Sequence, residues 1–144
     1  MGTGKGHCDR SSDKPLRVDH ITVHAGRLTL LVTCAPEWSM TTPEIARRIC
    51  LLRPNLLQHA CINEKGPLFS AVIDRTPMPH LFEHVVVDVL VEQSSSVDAT
   101  FVGTSEWLDR AAGTARVEVS FTDDLEALAA VKEAESIFEL LQST

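Results

Sequence analysis

The stretch Pro79–Leu90, "PHLFEHVVVDVL", sets two histidines four residues apart with a glutamate between them, then places four valines around one aspartate. The β-branched run alone favours a strand. Three features favour a helix. Pro77 and Pro79 fit a first helical turn, where a missing N–H costs nothing, but not a central strand. The segment Pro77–Gln93 is longer than strands usually run, about 5–6 residues. At about 100° per residue, Leu81, Phe82, Val85, Val86, Val89 and Leu90 share one side. His80, Glu83, His84 and Asp88 share the other, with Val87 and Val91 among them. Strand alternation would put Glu83 opposite the two histidines. The sequence therefore predicts a helix over Pro77–Gln93 whose polar side is partly walled by valines. Charged groups in such surroundings are candidates for shifted pKa values and for metal ligation.

Around this helix the rest of the chain arranges itself. "LRVDHITVH" and "RLTLLVTC" flank Ala25-Gly26 and read as a hairpin. "TTPEIARRICLL" reads as a helix capped by Thr42, with Pro43 in its first turn and Ile45, Ile49 and Leu52 on one face; Arg53-Pro54 ends it. Arg47 and Arg48 fall on its solvated side. Strands are expected at "LFSAVID" (Leu68–Asp74), at the shorter "VDATFV", and at "ARVEVSF", where Val117, Val119 and Phe121 alternate with polar residues. "TDDLEALAAVKEAESIFELLQ" predicts a helix capped by Thr122 or Asp123, with Leu125, Leu128, Ile137, Phe138 and Leu141 near helical spacing. The order β-β-α-β-α-β-β-α implies an α+β fold: a single domain over residues 15–144, with a mostly antiparallel or mixed sheet and about three helices packed on it. Residues 1–14, rich in Gly, Ser and charge, read as a disordered tail.

A chain of 144 residues that is 44% hydrophobic can bury one real core. Its net charge of −7 argues against a nucleic-acid partner, because phosphate binding needs clustered Lys and Arg. No apolar run reaches bilayer-spanning length, so no membrane partner is expected. The N-terminal "GTGKG" lacks both the spacing and the preceding strand of a phosphate-binding loop, and the polar start has no secretory core segment. Cys8, Cys34, Cys50 and Cys61 form no Cys-x-x-Cys pair, which suits reduced thiols and a cytoplasmic location. Cys34 and Cys50 sit beside apolar residues and read as small core side chains.

The helix at 77–93 carries the chemistry. Imidazoles at i and i+4 project one turn apart and can reach one zinc at about 2.0–2.1 Å each. His-x-x-Glu-His is the inverted order of the zincin motif, as in the inverzincins. There the glutamate is not a ligand; it accepts a proton from the water that the metal activates. His80 and His84 are thus candidate zinc ligands and Glu83 the candidate general base. The third ligand is open among Glu106, Asp88 and His59. Asp88 can equally orient His84 from behind. His59-x-Cys61 can ligate as a pair, but it reads rather as loop residues beside the core. Glu106 in "GTSEW" reads as an exposed loop acid. His20 and His24 lie on the hairpin as surface or edge residues. Trp38 and Trp107, both in predicted loops, either line a cleft or cap the core.

The segment "RPNLLQHACINEKGPLFSAVIDRTPMPHLFEHVVVDVLVEQ" resembles the N-terminal domain of cyanophycin synthetase. That family has a Leu-Pro-x-Leu segment ending in His-x-Cys, then a strand, a Thr near the next helix start, and His-x-x-Glu-His-Val-Ala-Leu-Glu-Leu. Pro54, Leu56, His59, Cys61, Phe69, Thr76, His80, Glu83, His84 and Val85 match, and Asp88 matches conservatively. "HAGRLTLLVTC" resembles that domain's opening, and "ARVEVSF" with the following helix its close. The full enzymes of that family build a polymer of aspartate with arginine side branches, using an ATP-grasp and a Mur-ligase-like domain that follow. Neither site is expected in a chain ending where the first domain ends, so the expectation is a stand-alone relative without ligase activity. The resemblance implies instead a zinc-dependent hydrolytic site with His80 and His84 as ligands and Glu83 as general base, and a peptide-like or arginine- and aspartate-containing ligand. The family's Gly-x-Gly-Arg-Thr-Arg-Glu-Thr loop stands here as "TFVGTSEW": Thr104 and Glu106 align, and both arginines are gone.

Two readings follow. One is a zinc-dependent hydrolase of peptide or amide bonds. The other is a non-catalytic binding or scaffolding domain of the same kin, motivated by the lost arginines.

Overall fold

A computed structural model describes residues 14–63, 65–94 and 100–142. The expectation for the N-terminal tail falls outside these residues except at Lys14, whose ammonium lies 3.2 Å from Glu139. The opening hairpin forms as expected, with β1 at Leu16–His24 and β2 at Arg27–Cys34. In β2 every second residue, Leu28, Leu30, Val32 and Cys34, is buried. The same alternation in β6 (Thr114–Ser120) buries Ala115, Val117 and Val119. Between them in sequence, and beyond β6 in space, lies β5 (Gly103–Asp109). The four strands form one antiparallel sheet in the order β1-β2-β6-β5. One face is wet, which antiparallel sheets tolerate; the other carries the core.

Helices cover that core face. α1 (Pro43–Leu52) starts where Thr42 Oγ1 accepts from the Ile45 amide at 3.2 Å. It buries Ile45, Ala46 and Ile49, whereas Leu52 turns outward. α2 (Met78–Gln93) is the expected helix, and all six apolar residues of its predicted inner side are buried. α3 (Asp124–Leu140) is capped by Asp123, whose carboxylate accepts from the amides of Leu125 and Glu126. Its buried stripe runs through Ala127, Ala130, Val131, Ala134, Ile137 and Phe138. Leu125, expected on that stripe, is 74% exposed. Small alanines let α3 approach closely, and Phe82 and Phe138 meet edge to face across α2 and α3, 5.1 Å apart.

Three local expectations change. The strand expected at Leu68–Asp74 is instead a single 3₁₀ turn at Phe69–Ala71 followed by turns, and it buries Phe69, Val72 and Ile73. A run that is apolar throughout has no period and does not distinguish strand from buried turn. The strand between α1 and α2 lies earlier, as a two-stranded ribbon of β3 (Ala60–Asn63) and β4 (Gly66–Leu68). The short strand expected at "VDATFV" is absent over residues 100–102, with 97–99 outside the described residues; the chain enters β5 only at Gly103. Trp107 therefore sits on a strand, half-buried against the core, with the Arg110 guanidinium 5.8 Å from its ring centre. Trp38 packs against the core from a 3₁₀ turn.

The N-terminus of α2 is clamped from outside. The Thr41 amide donates to Thr76 O, and the Thr76 amide donates to Thr41 Oγ1, each at 2.8 Å. The Met78 amide donates to Ser39 O at 2.8 Å. Both threonines are buried, so these bonds are made away from competing water. None of Cys34, Cys50 and Cys61 is in a disulfide. No helix among the described residues is long and apolar enough to cross a membrane.

Candidate metal centre

The helical period does what the wheel requires: His80, Glu83 and His84 leave α2 on one side and look into one cleft of about 840 Å³. Glu83 and His84 are buried, and His80 is partly so. The ring of Phe69, fully buried, forms the wall behind both imidazoles. It stacks on His84 with centroids 3.8 Å apart and planes within 10°, and meets His80 edge-on at 5.1 Å.

The third donor comes from the ribbon. Cys61 on β3 brings its Sγ to 3.5 Å from His80 Nε2. One donor atom from each of Cys61, His80 and His84 lies within 4.8 Å of the others. Around a tetrahedral zinc with bonds of about 2.0–2.3 Å, donors are separated by roughly 3.3–3.8 Å, so a small inward movement closes the set. A thiolate with two imidazoles is a donor set that zinc accepts, and three protein ligands leave a fourth position open.

None of the three acids and bases weighed as third ligand joins this set. Glu106 faces the other side of the sheet. It pairs across β5 and β6 with Arg116, and period-two alternation places it opposite Gly103, Ser105 and Trp107. Both ring nitrogens of His59 are occupied: Nδ1 lies 3.0 Å from His84 Nδ1, and Nε2 lies 3.0 Å from Asp88 Oδ1. Asp88 is turned toward His59 and toward Arg53, whose Nε donates to Oδ2 at 2.7 Å. Arg53 reaches on to Glu92 at 2.8 Å. The two outlying histidines stay on β1, exposed, with His24 Nε2 near Thr29 Oγ1 at 3.1 Å. Cys61 could be suspected from the His-x-Cys spacing. Its arrival beside α2 depends on how the ribbon folds back, which local pattern does not encode.

The chain of contacts behind His84 also fixes its proton. An ionised carboxylate only accepts, so His59 Nε2 carries a hydrogen. When His59 is neutral, its Nδ1 then accepts from His84 Nδ1, and the lone pair of His84 is left on Nε2, facing the cleft. The His80 ring is anchored by Thr76 Oγ1, a hydroxyl that donates or accepts, 2.8 Å from Nδ1, and turns Nε2 toward Cys61.

Electrostatics follow from burial. Loss of hydration lowers the pKa of His80. The same loss, with repulsion from His80 and His59, pushes His84 down to about 3. Both imidazoles are thus biased toward the neutral, ligating form. Desolvation lifts Glu83 up to about 7, near the value at which a carboxyl both takes and returns a proton at neutral pH. Its oxygens lie 3.9 Å from His80 Nε2 and 4.0 Å from His84 Nε2, beside the donor set. Burial alone would raise Asp88, but hydrogen bonds from His59 and Arg53, and the Arg53 charge, hold it below the usual carboxylate range.

Gly103, the first residue of β5, closes over Glu83. A Cβ there would stand 2.5 Å from Glu83 Oε2 and 2.7 Å from its Cγ. Only a hydrogen fits between strand and carboxylate at this point.

Scans against protein-family models and against curated proteins found no match to this chain.

Proposed function

We propose that this protein is a zinc-dependent hydrolase of peptide or amide bonds, related to the N-terminal domain of cyanophycin synthetase. The observation that carries the reading is the convergence of Cys61, His80 and His84 around one point, with the buried Glu83 carboxyl 3.9 Å from His80 Nε2 and 4.0 Å from His84 Nε2. Cys61, His80 and His84 would hold the metal. A zinc held there would supply Lewis acidity and make a nearby water more acidic. The Glu83 carboxylate would accept a proton from the attacking water and return it to the leaving amine. The Asp88–His59 pair keeps the His84 lone pair on Nε2, and Thr76 Oγ1 orients the His80 ring through Nδ1. Phe69 excludes water from behind, which strengthens each of these interactions.

Metal content and turnover together test this. Purified protein is expected to carry about one zinc per chain, and His84→Ala to carry none. Glu83→Gln should keep the metal and lose hydrolysis by about 100-fold or more, the scale of general-base catalysis. A metal-free protein whose melting temperature ignores chelator would instead favour the non-catalytic binding module, the second reading, which rests on the absence of both family arginines before Glu106.

A further inference from the structure

The cleft is bounded on one side by α2 and on the other by the outer edge of β5. The sheet order places β5 at an edge, and among the described residues no strand pairs with its outer side. The register tells which backbone groups are free. The Ser120 amide donates to Val102 O at 2.9 Å, so hydrogen-bonded pairing recurs at Thr104–Glu118 and Glu106–Arg116. Gly103 and Ser105 fall between these and turn N–H and C=O outward. Both line the cleft. Gly103 touches Glu83, so a segment laid along this edge carries its backbone directly past the carboxyl and the donor cluster.

The remaining walls say what such a segment carries. Beyond His84 along α2 come Val87 and Val91, faced by Phe101 and Val102 at the entry to β5. Val91 is 58% exposed and Val102 63%, an apolar lip at the mouth of the cleft. No Lys or Arg is among the described lining residues, and the acid there is Glu83 itself. A polyanionic chain finds no counter-charge, whereas an aliphatic side chain finds a matching wall.

Resting on the hydrolase reading, we propose that the substrate is an extended polypeptide that joins β5 as a further strand, pairing with Gly103 and Ser105, and seats an apolar side chain against Val87, Val91 and Phe101. This is strand addition: main-chain bonds hold the substrate and one pocket selects its side chain. It differs from the arginine- and aspartate-bearing polymer that the family resemblance implies.

The probe is the peptide acetyl-Ala-Ala-Leu-Ala-Ala-amide, titrated into the isotope-labelled, zinc-loaded full chain. Shifts are expected at the Gly103 and Ser105 amides. N-methylation of the peptide at alternate amides should weaken binding about tenfold in one phase of the alternation only, as loss of main-chain hydrogen bonds predicts. Replacing Leu by Asp should cost at least as much. Ser105→Pro removes an amide that β6 does not use, so the sheet tolerates it. It should abolish the peptide shifts while leaving zinc content and melting temperature within error of the wild type. Val91→Glu should move the preference from Leu to Arg at the central position. Equal binding of both N-methyl series, no shift at Gly103 and Ser105, or an Asp peptide bound as well as the Leu peptide would overturn the proposal. The binding measurements need no turnover. Peptide pairing without zinc-dependent hydrolysis therefore refutes the catalytic reading alone, and zinc-dependent hydrolysis without pairing refutes this one alone.

Discussion

The molecule keeps two populations of the same polar residues, and they behave differently. On the wet face of the sheet, Glu106 pairs with Arg116, Thr29 donates to Glu118 at 3.0 Å, and His24 reaches Thr29. On the outer side of α2, Asp88, Glu83 and His84 are each about 5–6% exposed; His59 ties Asp88 to His84, and Glu83 lies 4.0 Å from His84 Nε2. The side chains are alike; their hydration is not. Exposed pairs exchange protein contacts for equally good water contacts, so they contribute little. Buried ones have no such exchange, so each depends on its partner, and proton affinities move.

Substitutions should separate the two populations, the largest effect coming from Asp88. Asp88→Ala leaves Arg53, only 14% exposed at its side chain, without its inner counter-ion, and leaves His59 Nε2 without an acceptor. A loss of about 3–5 kcal/mol in urea unfolding is expected, together with weaker zinc binding. A loss under 1 kcal/mol would erase the contrast between the faces.

The next effect is pH-dependent and belongs to the metal-free protein. Glu83 holds its proton up to about pH 7 when folded, against 4.5 for the ordinary carboxyl. Its contribution to stability is therefore present below pH 4.5 and is lost as pH rises through 7. Glu83→Gln lacks this titration. Between pH 4 and pH 8 the variant should gain on the wild type by about 3 kcal/mol. His84 runs the other way, since its unfolded form takes a proton below about 6.5 and the folded one only near 3. That costs stability as pH falls, but equally in both proteins, so the comparison isolates Glu83. A difference constant across pH would mean that this carboxyl is hydrated.

A smaller loss is expected from Gly103→Ala, about 1–3 kcal/mol, because the added methyl forces Glu83 off its position. Hydrolysis should fall more than zinc content does, a split read from metal analysis beside kinetics. Least of all, Glu106→Ala and Arg116→Ala should each change stability by less than about 1 kcal/mol and leave zinc content untouched.

The same contrast explains what could be read from the sequence. Sequence periodicity locates α2, β2 and β6 because each has one dry side and one wetter side, and the helical period puts His80, Glu83 and His84 together. β5 escapes notice because its inward positions near the cleft are Gly103 and Ser105 rather than apolar residues. Read as a loop, it offers Glu106 as a ligand; read as a strand, it sends Glu106 to the far face. Phe69, Val72 and Ile73 look like a strand because burial without alternation leaves no signature. Leu125 draws attention by size, while the contact is made by four alanine and valine positions that weigh less on a wheel. Cys61 is a matter of long-range closure, set by where a ribbon between two helices comes to rest.

Among the described residues that ribbon joins no larger sheet, and it meets the turn that follows it through the Phe69 amide donating to His59 O at 2.9 Å. It nevertheless delivers the sulfur to a pair of imidazoles mounted on the most deeply embedded helix. Capture of an ion would therefore rivet the lightest piece of the molecule to its heaviest. Amide exchange across residues 60–68 should slow more on loading than exchange anywhere along α2.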